Sequence, residues 1–301
     1  MAAIPAFGSF DETVIHYEQL GSGEPVLLLH SFPFDSRVWQ STGVADAIIA
    51  AGRSVIAADR RGSGRSARPH DPSAYAGNAC ARDVTSLIDH LRLAQVDLAG
   101  YSIGSMIGLR VLQDDPRVRR AVLGGVGDDI VHLDPRLRKQ VAADLAEEDP
   151  TVLTGPGKSM RERIARLGGD PVALAAMWTA PFVEYDGGFD HVRADVLIIT
   201  GELDHDFGDP VALTARLPRA TVFRPPTDHA STMNHPTFAE KLIAHLTGRC
   251  YSAGGAAERV VDPGPQGSQR DGASLPGRHL PAAQYQQGRD GLSIEPPRDL
   301  R

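Results

Sequence analysis

A serine flanked by glycines, Gly100-Tyr101-Ser102-Ile103-Gly104, directly follows the apolar run Val96-Asp97-Leu98-Ala99. At a strand-to-helix junction, a Gly-x-Ser-x-Gly segment holds its serine in a sharp turn. The glycines remove side chains that would collide where strand and helix meet. The hydroxyl then projects above the sheet edge, and the amide of the next residue points into the same space. Ser105 to Leu112 reads as a buried helix, so strand, turn and helix follow in the required order. A hydroxyl is a weak nucleophile at neutral pH. It needs a base, and the base needs a carboxylate to orient it. Two downstream loops offer these groups. The run Val196-Leu197-Ile198-Ile199-Thr200 reads as a buried parallel strand and ends in Gly201-Glu202-Leu203-Asp204. Thr221-Val222-Phe223 reads as another strand and leads to Asp228-His229. Ser102, Asp204 and His229 thus each stand just past the C-terminal end of a strand, the edge where open α/β sheets place their sites.

Each assignment has a plainer competitor. Ser102 competes with an ordinary tight turn, and His229 with a surface-loop histidine. His235 is a rival base, but it directly precedes Pro236 and a predicted helix, so it reads as a residue flanking that helix start. For the acid, Asp204 is favoured over Asp206, which lies farther into the loop. Asp128 and Asp129, after the strand at Ala121-Val122-Leu123, are further alternatives. Glu202 reads as a solvated loop carboxylate.

These residues need a scaffold, and the chain supplies a regular one. Strand-like runs occur near 13–17, 26–29, 54–58, 95–99, 119–123, 195–200 and 220–224. Helical patterns near 79–91, 103–113 and 236–247 are interleaved with them. That alternation predicts right-handed βαβ crossovers: an α/β fold with a mostly parallel central sheet and helices on both faces. Leu87, Ile88 and Leu91 share one face of the helix at 79–91, and Cys80 and Val84 extend it. Cys80 is therefore expected in the core. Between 127 and 190 the pattern breaks into helical pieces at 136–146, 160–167 and 173–178, separated by Gly and Pro. Residues 251–301 are rich in Gly, Pro, Gln and Arg and lack periodicity, so a disordered tail is expected there.

Four local patterns together resemble the α/β-hydrolase fold family. Gly100 to Gly104 is similar to its nucleophile elbow. His30-Ser31-Phe32-Pro33, after Val26-Leu27-Leu28-Leu29, resembles its oxyanion loop. Asp59-Arg60-Arg61-Gly62-Ser63-Gly64-Arg65-Ser66 matches its Asp-x-Arg-Gly-x-Gly-x-Ser turn. The stretch from His229 to Pro236 and Phe238 resembles its catalytic-histidine loop. The resemblance covers about residues 5–247. It implies a Ser-His-Asp mechanism without a cofactor or metal, with the backbone amides of Phe32 and Ile103 as oxyanion donors. It also implies that 1–126 and 191–250 form the hydrolase core and that 127–190 is a small helical cap. In that cap Met177, Trp178, Phe182 and Tyr185 are candidates to roof an acyl pocket, and Trp39 and Tyr101 join them by position. His30 reads as a loop-shaping residue beside the substrate rather than a second base. Two positions depart from the family pattern. Ser31 stands where glycine is usual, and is strained if that position needs a positive φ. Asp228 stands where glycine commonly precedes the histidine, and is expected to raise the pKa of His229 and compete with Asp204 for it.

Composition narrows the partners. The chain has 301 residues and a net charge of −7, with no basic face, which argues against nucleic acid. No run approaches the roughly 18 apolar residues of a membrane span. The start, Met1 to Glu12, does not read as a signal peptide. Two cysteines, Cys80 and Cys250, do not suggest a disulfide framework, so a reducing cytoplasm is the expected location. The expected partner is a small-molecule ester or lactone, and oligomeric state is left open. The leading expectation is a serine hydrolase of small or medium carboxylic esters or lactones, acting through an acyl-enzyme on Ser102. Acyl transfer, perhydrolysis or C–C bond hydrolysis by the same triad is the alternative. A receptor-like pocket with little turnover is the third.

Overall fold

The computed structural model describes residues 4–248. The strands are β1 (Ala6–Gly8), β2 (Val14–Gly21), β3 (Pro25–Leu29), β4 (Ser54–Ala58), β5 (Val96–Tyr101), β6 (Val118–Gly124), β7 (Asp195–Ile199) and β8 (Ala220–Phe223). The helices are α1 (Val38–Ser41), α2 (Val44–Ala50), α3 (Ala79–His90), α4 (Ile103–Asp114), α5 (Pro135–Ala146), α6 (Gly155–Leu167), α7 (Pro171–Thr179), α8 (Pro210–Ala215) and α9 (Pro236–Thr247).

The strands form one sheet in the order β1-β2-β4-β3-β5-β6-β7-β8. β2 pairs antiparallel with β1 and β4. All pairings from β4 across to β8 are parallel. The fold class is therefore the one the alternation predicts. Strands covered by helices on both faces read as near-continuous apolar runs, which is why β3, β5 and β7 carry so few polar residues. Their side chains still alternate. Leu27 joins the core layer that includes Leu87 and Ile107, while Leu28 joins the layer that includes Ile48, Leu197 and Leu242. Register aligns the strand ends: Tyr101 pairs with Gly124, and Gly124 with Ile199. The loops leaving β5, β6 and β7 consequently emerge along one rim.

Helix starts are written locally. Asp134-Pro135, Asp170-Pro171 and Asp209-Pro210 open α5, α7 and α8, and each aspartate accepts an N–H two residues on, from Arg136, Val172 and Val211. Such a cap stabilises a helix by about 1 kcal/mol, and proline at the first position needs no donor.

The stretch between β6 and β7 folds as α5, α6 and α7. Ala173 to Trp178 of α7 are all buried, and α7 packs against α5. Polar contacts tie this insertion to the sheet domain. Arg68 donates to the Gly168 carbonyl at 3.1 Å, Arg37 donates to that of Leu167 at 3.5 Å, and His70 meets Asp170 at 2.9 Å.

Some elements escape sequence reading. β1, α1, α2 and α8 are short, so their periodicity is weak. β2 runs on to Gly21, beyond the early run at 13–17. Cys80 is buried as expected, with its thiol pushed up to about 12 by burial. The 251–301 tail and Cys250 lie outside the described residues. No helix among the described residues is long and apolar enough to cross a membrane.

Candidate active site

The rim formed by β5, β6 and β7 gathers the chemistry. Ser102 sits between β5 and α4 with φ 53° and ψ −119°, a conformation that costs a non-glycine residue about 1–3 kcal/mol. Neighbours hold it there. The Ser102 amide and the Ser105 hydroxyl both donate to the Gly124 carbonyl, each at 2.8 Å. The glycines are needed for space: a Cβ on Gly100 would lie 2.6 Å from the Gly104 carbonyl carbon.

The Ser102 hydroxyl lies 3.1 Å from His229 Nε2, and His229 Nδ1 lies 2.8 Å from Asp204 Oδ2. A carboxylate only accepts, so Nδ1 carries the proton. Nε2 then presents its lone pair to the hydroxyl. Asp204 is nearly fully buried, whereas 24% of the His229 side chain is exposed. Burial pulls the imidazole pKa down. The hydrogen bond that Nδ1 donates to Asp204 and the charges of Asp204, Asp206 and Asp228 outweigh it, and the net direction is upward.

Two aromatic rings flank this imidazole. Tyr101 and Phe207 each place a ring centroid 5.5 Å from it. The Tyr101 hydroxyl also donates to the His229 carbonyl at 2.6 Å. Gly125, at φ 64°, completes the seat, because a Cβ there would lie 2.9 Å from His229 Cε1. Sequence reading did not mark Phe207 or Gly125. The Gly124-Gly125 pair at a strand end was the available signal.

The expected oxyanion donors sit on the loop after β3 and on the elbow. The Phe32 and Ile103 amides donate to no group among the described residues, which leaves both free for a ligand. His30 shapes the loop. Its Nδ1–H donates to the Ser31 carbonyl at 2.9 Å, and its Nε2 accepts the Arg60 amide at 3.0 Å. Burial, with help from the Arg60 charge, lowers its pKa to about 4, so the imidazole is neutral and both bonds persist at neutral pH. Ser31 is not among the residues with positive φ, so the strain considered for a serine at this position does not arise.

Other candidates fall elsewhere. Asp228 is turned away: its Oδ1 accepts the amide and hydroxyl of Ser231 at 2.9 and 2.5 Å, so it adds charge near His229 without competing for Nδ1. Asp128 accepts the Asp209 amide at 2.8 Å and ties two loops together. His235 caps α9, with Nδ1 against Thr237. Trp39 belongs to the core layer that includes Val44, Ile48, Tyr101 and Leu242. Trp178 packs edge-on against Phe32 at 5.6 Å and against Phe182 at 5.6 Å, which brings α7 onto the oxyanion loop. Asp204, Asp206 and His229 offer three ligand-type atoms within 4.8 Å of one another. The Nδ1 position among them is filled by the proton shared with Asp204.

This fold and this site define a class. Residues 24–149 match a family model described as the alpha/beta hydrolase fold. A crystal structure of a hydrolase from Pseudomonas aeruginosa PA01 superposes with a TM-score of 0.68 at 20% identity, covering 81% of this chain and 98% of that one. The chain has the α/β-hydrolase fold. A non-heme haloperoxidase of Rhodococcus erythropolis is 36% identical over 127 residues, which is 40% of this chain and 44% of that protein. An epoxide hydrolase of Caballeronia sordidicola is 34% identical over 110 residues, which is 36% of this chain and 33% of that protein. The chain thus spans less than half the length of these two relatives.

Proposed function

We propose that the protein is a serine hydrolase of small or medium carboxylic esters or lactones. One observation carries this reading: the continuous relay from Asp204 through His229 to a hydroxyl held in an elbow, beside two free backbone amides. His229 Nε2 takes the Ser102 proton as Oγ attacks the carbonyl carbon. Asp204 keeps the imidazole in the required tautomer and stabilises the imidazolium. The carbonyl oxygen becomes an oxyanion facing the Phe32 and Ile103 amides, each donor of this kind contributing about 3–4 kcal/mol to the transition state. The imidazolium returns its proton to the leaving alkoxide, and water then hydrolyses the acyl-enzyme by the same route.

The nucleophile's chemistry separates this reading from epoxide opening, the activity in one relative's name. Serine attack on an epoxide carbon would leave an alkyl ether, which a histidine-activated water does not cleave. Attack on a carbonyl leaves an ester, which it does. The haloperoxidase name favours a second reading, in which hydrogen peroxide intercepts the same acyl-enzyme and releases a peracid. Trp178, packed edge-on against Phe32 and Phe182, supports a modest acyl pocket suited to small or medium substrates.

A fluorophosphonate probe should label Ser102, and Ser102→Ala should lose roughly 10⁶-fold in kcat on an activated short-chain ester. Undiminished turnover in that variant removes the reading. Peracid formed from an ester in the presence of peroxide would select the second reading over plain hydrolysis.

A further inference from the structure

His229 faces more than one carboxylate. Besides Asp204 at 2.8 Å, Oδ2 of Asp206 lies 4.0 Å from the same Nδ1. Both acids come from the loop after β7, and the Asp206 amide donates to Asp204 Oδ1 at 3.2 Å. They are held differently. Asp204 is buried and both its oxygens are engaged. The Asp206 side chain is 32% exposed, and its oxygens accept no hydrogen bond among the described residues. It can therefore move without giving up a partner. The other groups facing the imidazole cannot substitute. Asp228 is bound by Ser231, and Tyr101 offers a phenol already committed to the His229 carbonyl. The charge of His205 acts on Asp206.

We infer that Asp206 is a second positioning residue for His229, sharing its orientation with Asp204 and taking over when Asp204 cannot serve. The inference rests on the serine hydrolase reading. The gap to close is small: moving from 4.0 Å to hydrogen-bond distance needs about 1 Å, within reach of one side-chain rotation. Electrostatics favour the exchange. Burial, and to a lesser degree Asp204 itself, raise the Asp206 pKa. Replacing Asp204 by asparagine removes that repulsion, so Asp206 ionises more readily and becomes the nearest anion to the Nδ1 proton.

The test measures the rate of Ser102 labelling by a fluorophosphonate against pH in the wild type, Asp204→Asn, Asp206→Asn and the double variant. Thermal unfolding of each checks that it folds. Loss of an orienting aspartate with no substitute costs about 10⁴-fold. Asp204→Asn is expected to lose only about 10²-fold, and the double variant the full 10⁴-fold. In Asp206→Asn the acid limb should move to lower pH, because a negative charge near His229 is gone. A histidine NMR titration of Asp206→Asn should show the same downward shift of His229, and it needs no substrate. Asp204→Asn as slow as the double variant, or a His229 titration that Asp206→Asn leaves unmoved, overturns the inference. A wild type that is not labelled at Ser102 at all overturns the hydrolase reading instead. Should Asp204→Asn fail to fold, the His229 titration alone decides.

Discussion

His229 is fixed from several directions: Asp204 at Nδ1, Ser102 at Nε2, Tyr101 and Phe207 on the flanks, and the Tyr101 hydroxyl on its backbone. Orientation matters because a base misplaced by about 1 Å can lose 10²-fold in rate. Its charge state matters equally. Only the neutral imidazole accepts the serine proton. The surrounding carboxylates raise the His229 pKa above its ordinary 6.5, so protonation persists to higher pH than for a free histidine. kcat/KM should therefore rise with pH through an apparent pKa above 6.5 and reach its plateau on the alkaline side. A pH profile on a neutral ester checks this, and an acid limb centred below 6.5 contradicts it. His30, an imidazole of the same chain, is shifted the opposite way. It is buried against the Arg60 charge with no carboxylate hydrogen-bonded to it, so desolvation decides.

At the level of elements, the loops after β5, β6 and β7 work as a unit. Gly125, leaving β6, occupies the left-handed region and stands beside the imidazole. A side chain there faces two penalties: a positive φ, costing about 1–2 kcal/mol, and a clash with His229 Cε1. Gly125→Ala should lose stability by that amount. It should also lose kcat by about 10²-fold, because the methyl displaces the base. Denaturant melts and kcat measured on the folded fraction separate the two effects; a stability loss with kcat unchanged would show that the loop yields instead. Much of this level is legible from sequence. Gly-x-Ser-x-Gly, the strand ends and the order of acid and histidine place Ser102, Asp204 and His229 on one rim. The Asp-Pro pairs at 134, 170 and 209 are complete local signals for helix starts. Phe207 is not legible, because an aromatic residue in a loop has no periodicity to reveal what it packs on.

At the scale of the whole molecule, the insertion carrying α5, α6 and α7 rests on the sheet domain through two kinds of contact. One is apolar, with Trp178 on Phe32. The other is the polar set formed by Arg37, Arg68 and His70 with Leu167, Gly168 and Asp170. Exposed polar contacts contribute about 0–1 kcal/mol each, so they guide the docking of the insertion more than they stabilise the fold. Removing two of them, with Arg68→Ala and His70→Ala together, should leave the thermal midpoint within a few degrees of wild type. Amide hydrogen exchange over 155–179 should nevertheless accelerate, because local opening becomes easier while global unfolding does not. Unchanged exchange there would show that the Arg68 and His70 contacts do not hold the insertion.

The sequence by itself determined the parallel α/β framework, the elbow serine and the order of its partners, because hydrophobic period, strand ends and glycine placement are local properties of the chain. It also determined that Cys80 is a core residue, from its helical spacing. Only the tertiary structure decided which carboxylates face His229 and at what distance, and that Asp228 turns to Ser231. Those outcomes depend on where a side chain points after distant loops converge. A linear pattern fixes which face of an element is buried, but not which of several neighbouring acids reaches a given nitrogen.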